Sequence, residues 1–134
     1  MRNILLIAAL VAVAACSATR APRDINDSRV FFAFDCAKLD AVAQENLHGQ
    51  ALYLKRNPRT QITIEGHTDE RGTLEYNFAL GALRAANTAQ FLINAGITPE
   101  RIQTVSYSWT RPYRPGTGEA VWRYNRNART VVRK

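Results

Sequence analysis

Between positions 66 and 84 the chain reads Gly-His-Thr-Asp-Glu-Arg-Gly-Thr-Leu-Glu-Tyr-Asn-Phe-Ala-Leu-Gly-Ala-Leu-Arg. The stretch sets a carboxylate, Asp69, among turn-forming residues, and a guanidinium, Arg84, about two helical turns into the segment that follows. One anion and one cation can therefore face a single pocket. Backbone N–H groups from Thr68 to Gly72, at a helix entrance, can hold ligand oxygens as well. Each residue also has a plainer use. Asp69 in Thr-Asp-Glu-Arg-Gly can stabilise a turn, Arg84 can be a solvated helix arginine, and Asn77 can satisfy an orphan donor in a first helical turn.

The elements around this stretch would position it. An alternating run at 61–65 predicts a half-buried strand before it, and an alanine-rich segment at 75–94, closed by Ala95-Gly96, predicts a helix after it. Period alone does not fix that helix's buried face. Upstream, the β-branched and aromatic run at 30–34 predicts a first strand. Positions 40–57 then place Val42, Ala43, Leu47, Ala51 and Leu54 at helical spacing, with Asn57-Pro58 as the stop. Downstream come a strand at 102–107, a turn region rich in Arg, Pro and Gly at 110–118, a short helix at 119–124 and a last strand at 128–132. Such alternation predicts a layer of helices on one sheet. It leaves open whether the last strand runs parallel or antiparallel.

The first fifteen residues predict a targeting signal. Arg2 gives a positive start, and 4–12 is an apolar run too short to span a bilayer comfortably. Val13-Ala14-Ala15-Cys16 resembles a bacterial lipobox, which predicts cleavage before Cys16 and lipidation of its thiol. Residues 1–15 are then the signal peptide, 16–29 a lipidated cysteine and flexible tether, and 30–134 a single folded domain. The formal net charge of +7 suits an anionic partner, and export argues against nucleic acid. With Cys16 lipidated, Cys36 has no disulfide partner and reads as a small packing residue.

No constellation for catalysis or metal binding emerges. Ser106, Ser108, His67 and Glu70 are present, but no motif places them as a nucleophile and base. His48 and His67 have no cysteine cluster beside them, so no metal or cofactor is expected.

At this point the motifs carry a family resemblance. Gly66-His67-Thr68-Asp69-Glu70-Arg71-Gly72-Thr73, followed by Glu75-Tyr76-Asn77, Leu80-Gly81 and Arg84-Ala85, resembles the signature of the OmpA-like peptidoglycan-binding domain family. Val30-Phe31-Phe32 with Phe34-Asp35 is similar to the family's opening, and Ser106-Tyr107, Pro112, Glu119-Ala120 and Asn125-Arg126 match its later landmarks. The resemblance implies an α/β two-layer sandwich, with a mixed four-stranded sheet and two main helices on one face. It implies non-covalent binding to the diaminopimelate of the peptidoglycan stem peptide, with Asp69 on the ammonium, Arg84 on the carboxylate and Asn77 at the rim. Asp35 and Arg126 match positions around the groove. It further implies a lipid-anchored protein on the periplasmic face of the outer membrane, with Tol-system proteins as possible partners. The other reading is a protein-docking module with incidental wall affinity. Asn127 departs from the family's usual arginine, which implies one cation fewer near the groove. Trp109 and Trp122 read as core or as an exposed contact patch.

Overall fold

The computed structural model describes residues 20–134. Its elements follow the expected alternation: β1 (Ser28–Phe31), α1 (Ala41–Arg56), β2 (Ile62–Gly66), α2 (Leu74–Asn94), a 3-10 turn (Pro99–Arg101), β3 (Ile102–Ser106), α3 (Glu119–Asn125) and β4 (Asn127–Val132). Spatial order in the sheet is β1-β4-β2-β3. β2 and β3 are parallel, whereas β4 runs antiparallel to both β1 and β2. The sheet is mixed and four-stranded, and the direction that period left open is antiparallel.

Local chemistry fixes the helices. Asp40 caps α1 by accepting from the Ala43 N–H, and Asn57 ends it by donating to the Tyr53 carbonyl. Thr73 caps α2 by accepting from the Tyr76 N–H. At the far end Gly96, at φ +104°, sends its N–H to Ile93 while Ile97 bonds Leu92, a glycine-terminated stop. Both long helices lie on one face of the sheet, where Leu47, Leu54, Ile62, Ile64, Ala85 and Leu92 form the core.

The buried face of α2 explains why period could not find it. It runs Asn77, Gly81, Arg84, Ala85, Thr88, Ala89 and Leu92, mostly small or polar, while Phe78 and Leu83 stay exposed. Small residues are needed because α2 lies directly on the sheet. A Cβ at Gly66 would collide with the Gly81 carbonyl, and a Cβ at Gly81 would collide with the Ser106 hydroxyl. That hydroxyl instead donates to the Phe78 carbonyl, and the neighbouring Ser108 hydroxyl donates to Leu74.

Two expected boundaries move. The first strand is Ser28–Phe31 rather than 30–34, because Asp35, at φ +52°, belongs to a turn. The folded domain also begins before 30. Ile25 is fully buried in the core, the Asp27 N–H bonds the Thr130 carbonyl, and Asn26 accepts from the Val132 N–H. One apolar side chain in an otherwise polar segment is enough to dock it, so the tether expected at 16–29 is packed from Ile25 onward.

The glycine contact yields a paired test. Gly66→Ala should cost about 3 kcal/mol or more, since overpacking against backbone has no flexible side chain to yield. Gly49→Ala lies mid-helix with its nearest atom at an ordinary 3.4 Å, and should stabilise by about 0.5–1 kcal/mol. Chemical denaturation of the two variants beside the parent protein checks both signs.

Candidate functional site

The loop from β2 into α2 is held at several points. The His67 N–H bonds the Asn127 carbonyl and the Thr68 N–H bonds the Ser108 carbonyl, which ties the loop to β4 and to the turn after β3. Gly72 adopts φ +101°, and Asn77 donates its amide to the Arg71 carbonyl at 2.8 Å. Between this loop, the turn after β1 and the first turns of α2 lies a cleft of about 220 Å³. Its walls include Phe34, Asp35, Thr68, Asp69, Arg71, Tyr76, Asn77 and Arg84.

Arg84 forms the floor of the cleft. It is fully buried, and its guanidinium donates to three carbonyls from two segments: Nε to Cys36 at 2.9 Å, Nη1 to His67 at 2.9 Å and Nη2 to Ala33 at 3.1 Å. A guanidinium has five donors, so two remain, one on each Nη. It forms no ion pair among the described residues. Burial, with Arg126 nearby, pushes its pKa down to about 10, which still leaves it charged at neutral pH.

Asp69 is buried too, and heavily bonded. Oδ1 accepts from the Arg71 N–H and from Arg71 Nε, both at 3.1 Å. Oδ2 accepts from Arg71 Nη2 at 2.8 Å and lies 3.5 Å from Arg126 Nη1. Burial acts to raise the Asp69 carboxyl, but the Arg71 hydrogen bonds and both positive charges outweigh it and hold it below the ordinary value. The Arg71 guanidinium in turn lies between two rings, 3.8 Å from the Phe34 centroid and 4.1 Å from that of Trp122.

Five of the six residues expected at the binding site line this cleft: Asp35, Thr68, Asp69, Asn77 and Arg84. Asp35 accepts a hydrogen bond from the Tyr76 hydroxyl across its mouth. The hydroxyl of Thr68 is buried without a hydrogen-bond partner among the described residues. Arg126 is the exception. It sits behind Asp69, bonding the Phe32 carbonyl at 2.8 Å and both Glu119 oxygens at 2.6 and 3.1 Å, and so orients the carboxylate from outside the cleft. Asn127 is not a groove residue either. It is fully buried at the start of β4, accepting from Arg29 and donating to the Tyr124 carbonyl.

Sequence reading missed Arg71, Phe34, Tyr76 and Trp122 as parts of this site. Arg71 lies inside the quoted signature, but nothing in its spacing says that it folds back onto Asp69. Trp122 donates its indole N–H to Glu70 and stacks on Arg71, so it serves the cleft edge instead of the core. Cys36 is half-buried, with Sγ accepting from the Lys38 N–H.

The geometry of Arg84 makes a stability prediction. Arg84→Ala would leave three buried carbonyls without their donor and a void under the cleft, at a cost of about 3–5 kcal/mol. Thermal unfolding should show a large drop or no cooperative transition, whereas a solvated helix arginine would move it by under about 0.5 kcal/mol.

Comparison with known proteins agrees with the fold. The OmpA family model matches residues 31–126. A peptidoglycan-associated lipoprotein of Brucella melitensis is 47% identical over 104 residues, covering 78% of this chain and 62% of that protein. This chain thus spans less than two thirds of that relative's length. A peptidoglycan-associated lipoprotein of Mesorhizobium japonicum is 35% identical over 155 residues, covering 98% of this chain and 92% of its own. The crystal structure of the peptidoglycan-associated lipoprotein from Burkholderia pseudomallei superposes with TM-score 0.76 at 39% identity, over 78% of this chain and 89% of that one. The C-terminal domain of Helicobacter pylori MotB shares the fold at TM-score 0.70 and 20% identity, over 78% of this chain and 84% of that one. With the family model spanning most of the folded residues and relatives at this level of identity, the chain belongs to the OmpA family.

Proposed function

We propose that this protein binds peptidoglycan without covalent attachment, by seating the ammonium and carboxylate of a stem-peptide diaminopimelate in the cleft between Asp69 and Arg84. The observation that carries the reading is the buried Arg84 guanidinium, a desolvated cation with two unused donors and no ion-pair partner among the described residues. A ligand carboxylate would supply the missing charge in bidentate geometry. The cleft walls pair two carboxylates, Asp35 and Asp69, with two guanidiniums, Arg71 and Arg84. Their charges cancel, which suits a ligand end that is itself neutral overall and polar throughout. The unpartnered Thr68 hydroxyl adds one more group for it to bond. The names of the relatives point the same way, since they are called peptidoglycan-associated lipoproteins.

In this reading a lipid on Cys16 ties the domain to the periplasmic face of the outer membrane, so that the protein joins membrane to wall. Cys16 and the signal at 1–15 lie outside the described residues. No helix among the described residues is long and apolar enough to cross a membrane. Proteins of the Tol envelope machinery are a second class of partner. An exposed groove lined by Leu74, Phe78 and Tyr107 beside the site favours a protein contact there.

Co-sedimentation with purified sacculi tests the proposal. The parent protein should pellet, and free diaminopimelate should release it. Asp69→Asn should bind roughly 10- to 100-fold more weakly, the loss expected for one charge-assisted contact. It should stay folded, because Glu119 still pairs with Arg126. Undiminished binding of folded Asp69→Asn would sink the assignment, and binding indifferent to diaminopimelate would leave only charge attraction.

A further inference from the structure

Three of the acceptor sites of Asp69 are already taken by Arg71, and the remaining one faces the Arg126 cation. A carboxylate offers about four lone-pair sites. In this structure Oδ1 takes the Arg71 N–H and Nε, and Oδ2 takes Arg71 Nη2 with Arg126 at 3.5 Å. An ammonium that is to take more than one bond from Asp69 must displace one of these donors. The backbone N–H is fixed by the loop. Arg126 has a side chain only 6% exposed and is held by Phe32 and Glu119, whereas the Arg71 side chain is 31% exposed and its guanidinium hydrogen-bonds no group but Asp69 among the described residues.

From this we infer that Arg71 is a displaceable internal cation, a built-in competitor for the ammonium subsite of the cleft. The inference rests on the functional reading above. The surroundings of Arg71 also provide a place for it to go. Phe34 and Trp122 flank its plane at 3.8 and 4.1 Å, and Oε2 of the exposed Glu119 side chain lies 3.9 Å from Nη2. The guanidinium can slide between the two rings from Asp69 towards Glu119 without leaving their faces, so its charge stays stabilised while Asp69 is uncovered. Exchange of one cation for another keeps Asp69 paired throughout. Wall binding is therefore set below the affinity that an open Asp69 would give, and only for ligands that bring an ammonium.

The test compares the parent protein with Arg71→Ala by calorimetry, using a diaminopimelate-containing stem peptide and the same peptide lacking the terminal ammonium. Arg71→Ala should bind the ammonium-bearing peptide roughly fivefold more tightly, the scale of a partly exposed ion pair removed from competition. Arg71→Ala should not tighten binding of the deaminated peptide, since that ligand brings no ammonium to compete with Arg71. A second measurement uses the parent protein alone. The Arg71 Nε–H resonance should shift and exchange faster with water when the ammonium-bearing peptide is added, and should not respond to the deaminated one. Weaker or equal binding of the ammonium-bearing peptide by folded Arg71→Ala overturns the inference while leaving the wall-binding reading intact. An unmoved Nε–H resonance in a complex that does form overturns it in the same way. Failure of both proteins to bind the ammonium-bearing peptide overturns both.

Discussion

The buried Arg84 guanidinium is the constraint around which this domain is arranged. Three segments that are distant in sequence, the turn after β1, the end of β2 and the third turn of α2, meet because one planar cation collects a carbonyl from Ala33, Cys36 and His67. A desolvated charge is costly unless its donors are met, and here carbonyl dipoles meet most of them. The same bonds fix the two loops that wall the cleft. Formation of the cleft and closure of the fold at this corner are thus one event, and it leaves two guanidinium donors unused among the described residues.

That arrangement demands a close approach of helix to sheet. The Arg84 side chain reaches the β1 turn only because α2 rests on β2 through Gly66 and Gly81, with no Cβ on either. Ser106 on β3 then bonds an α2 carbonyl in the narrow gap. The stripe of small and polar residues on α2 follows from this, and it is what left the helix's buried face unreadable. Phe78 and Leu83 supply the hydrophobic signal in that segment, yet they face solvent, because the inner face has no room for them.

Much of the architecture was legible, since it rests on local chemistry. Asn57-Pro58 and Ala95-Gly96 mark helix ends through hydrogen bonds made within a few residues, and the strands announce themselves by alternation or β-branched runs. The cleft was legible as a set of residue types in a recognisable order, and five of the six nominated side chains converge on it. What sequence could not supply was the partner of each charge. Arg126 and Arg84 look alike as basic residues near a motif, but one bonds Glu119 behind the site and the other lies at its floor. Arg101 is a similar case: its guanidinium takes the Leu54, Asn57 and Thr60 carbonyls in the last turn of α1 and just after it, a pairing across some forty positions that no short-range pattern encodes. Docking of 25–29 was hidden for a related reason, since Ile25 is a single apolar residue whose partners all lie elsewhere in the chain.

The positive charge of the chain takes on a different meaning once these partners are known. A formal +7 invites a search for an anionic surface to bind. Yet many of the arginines are committed to packing. Arg29 lies 3.9 Å from the Tyr113 ring centroid, Arg111 lies 3.7 Å from that of Tyr107 and Arg114 lies 3.8 Å from that of Tyr124, which pins down a segment rich in Pro and Gly that has only the short α3 as regular structure. Arginine suits this use because its flat, weakly hydrated head stacks on rings while its edge still hydrogen-bonds. Such contacts hold a loop that could not build an aliphatic core. Net charge therefore says little about the partner here. The informative cation is Arg84, taken out of water and given no ion-pair partner among the described residues.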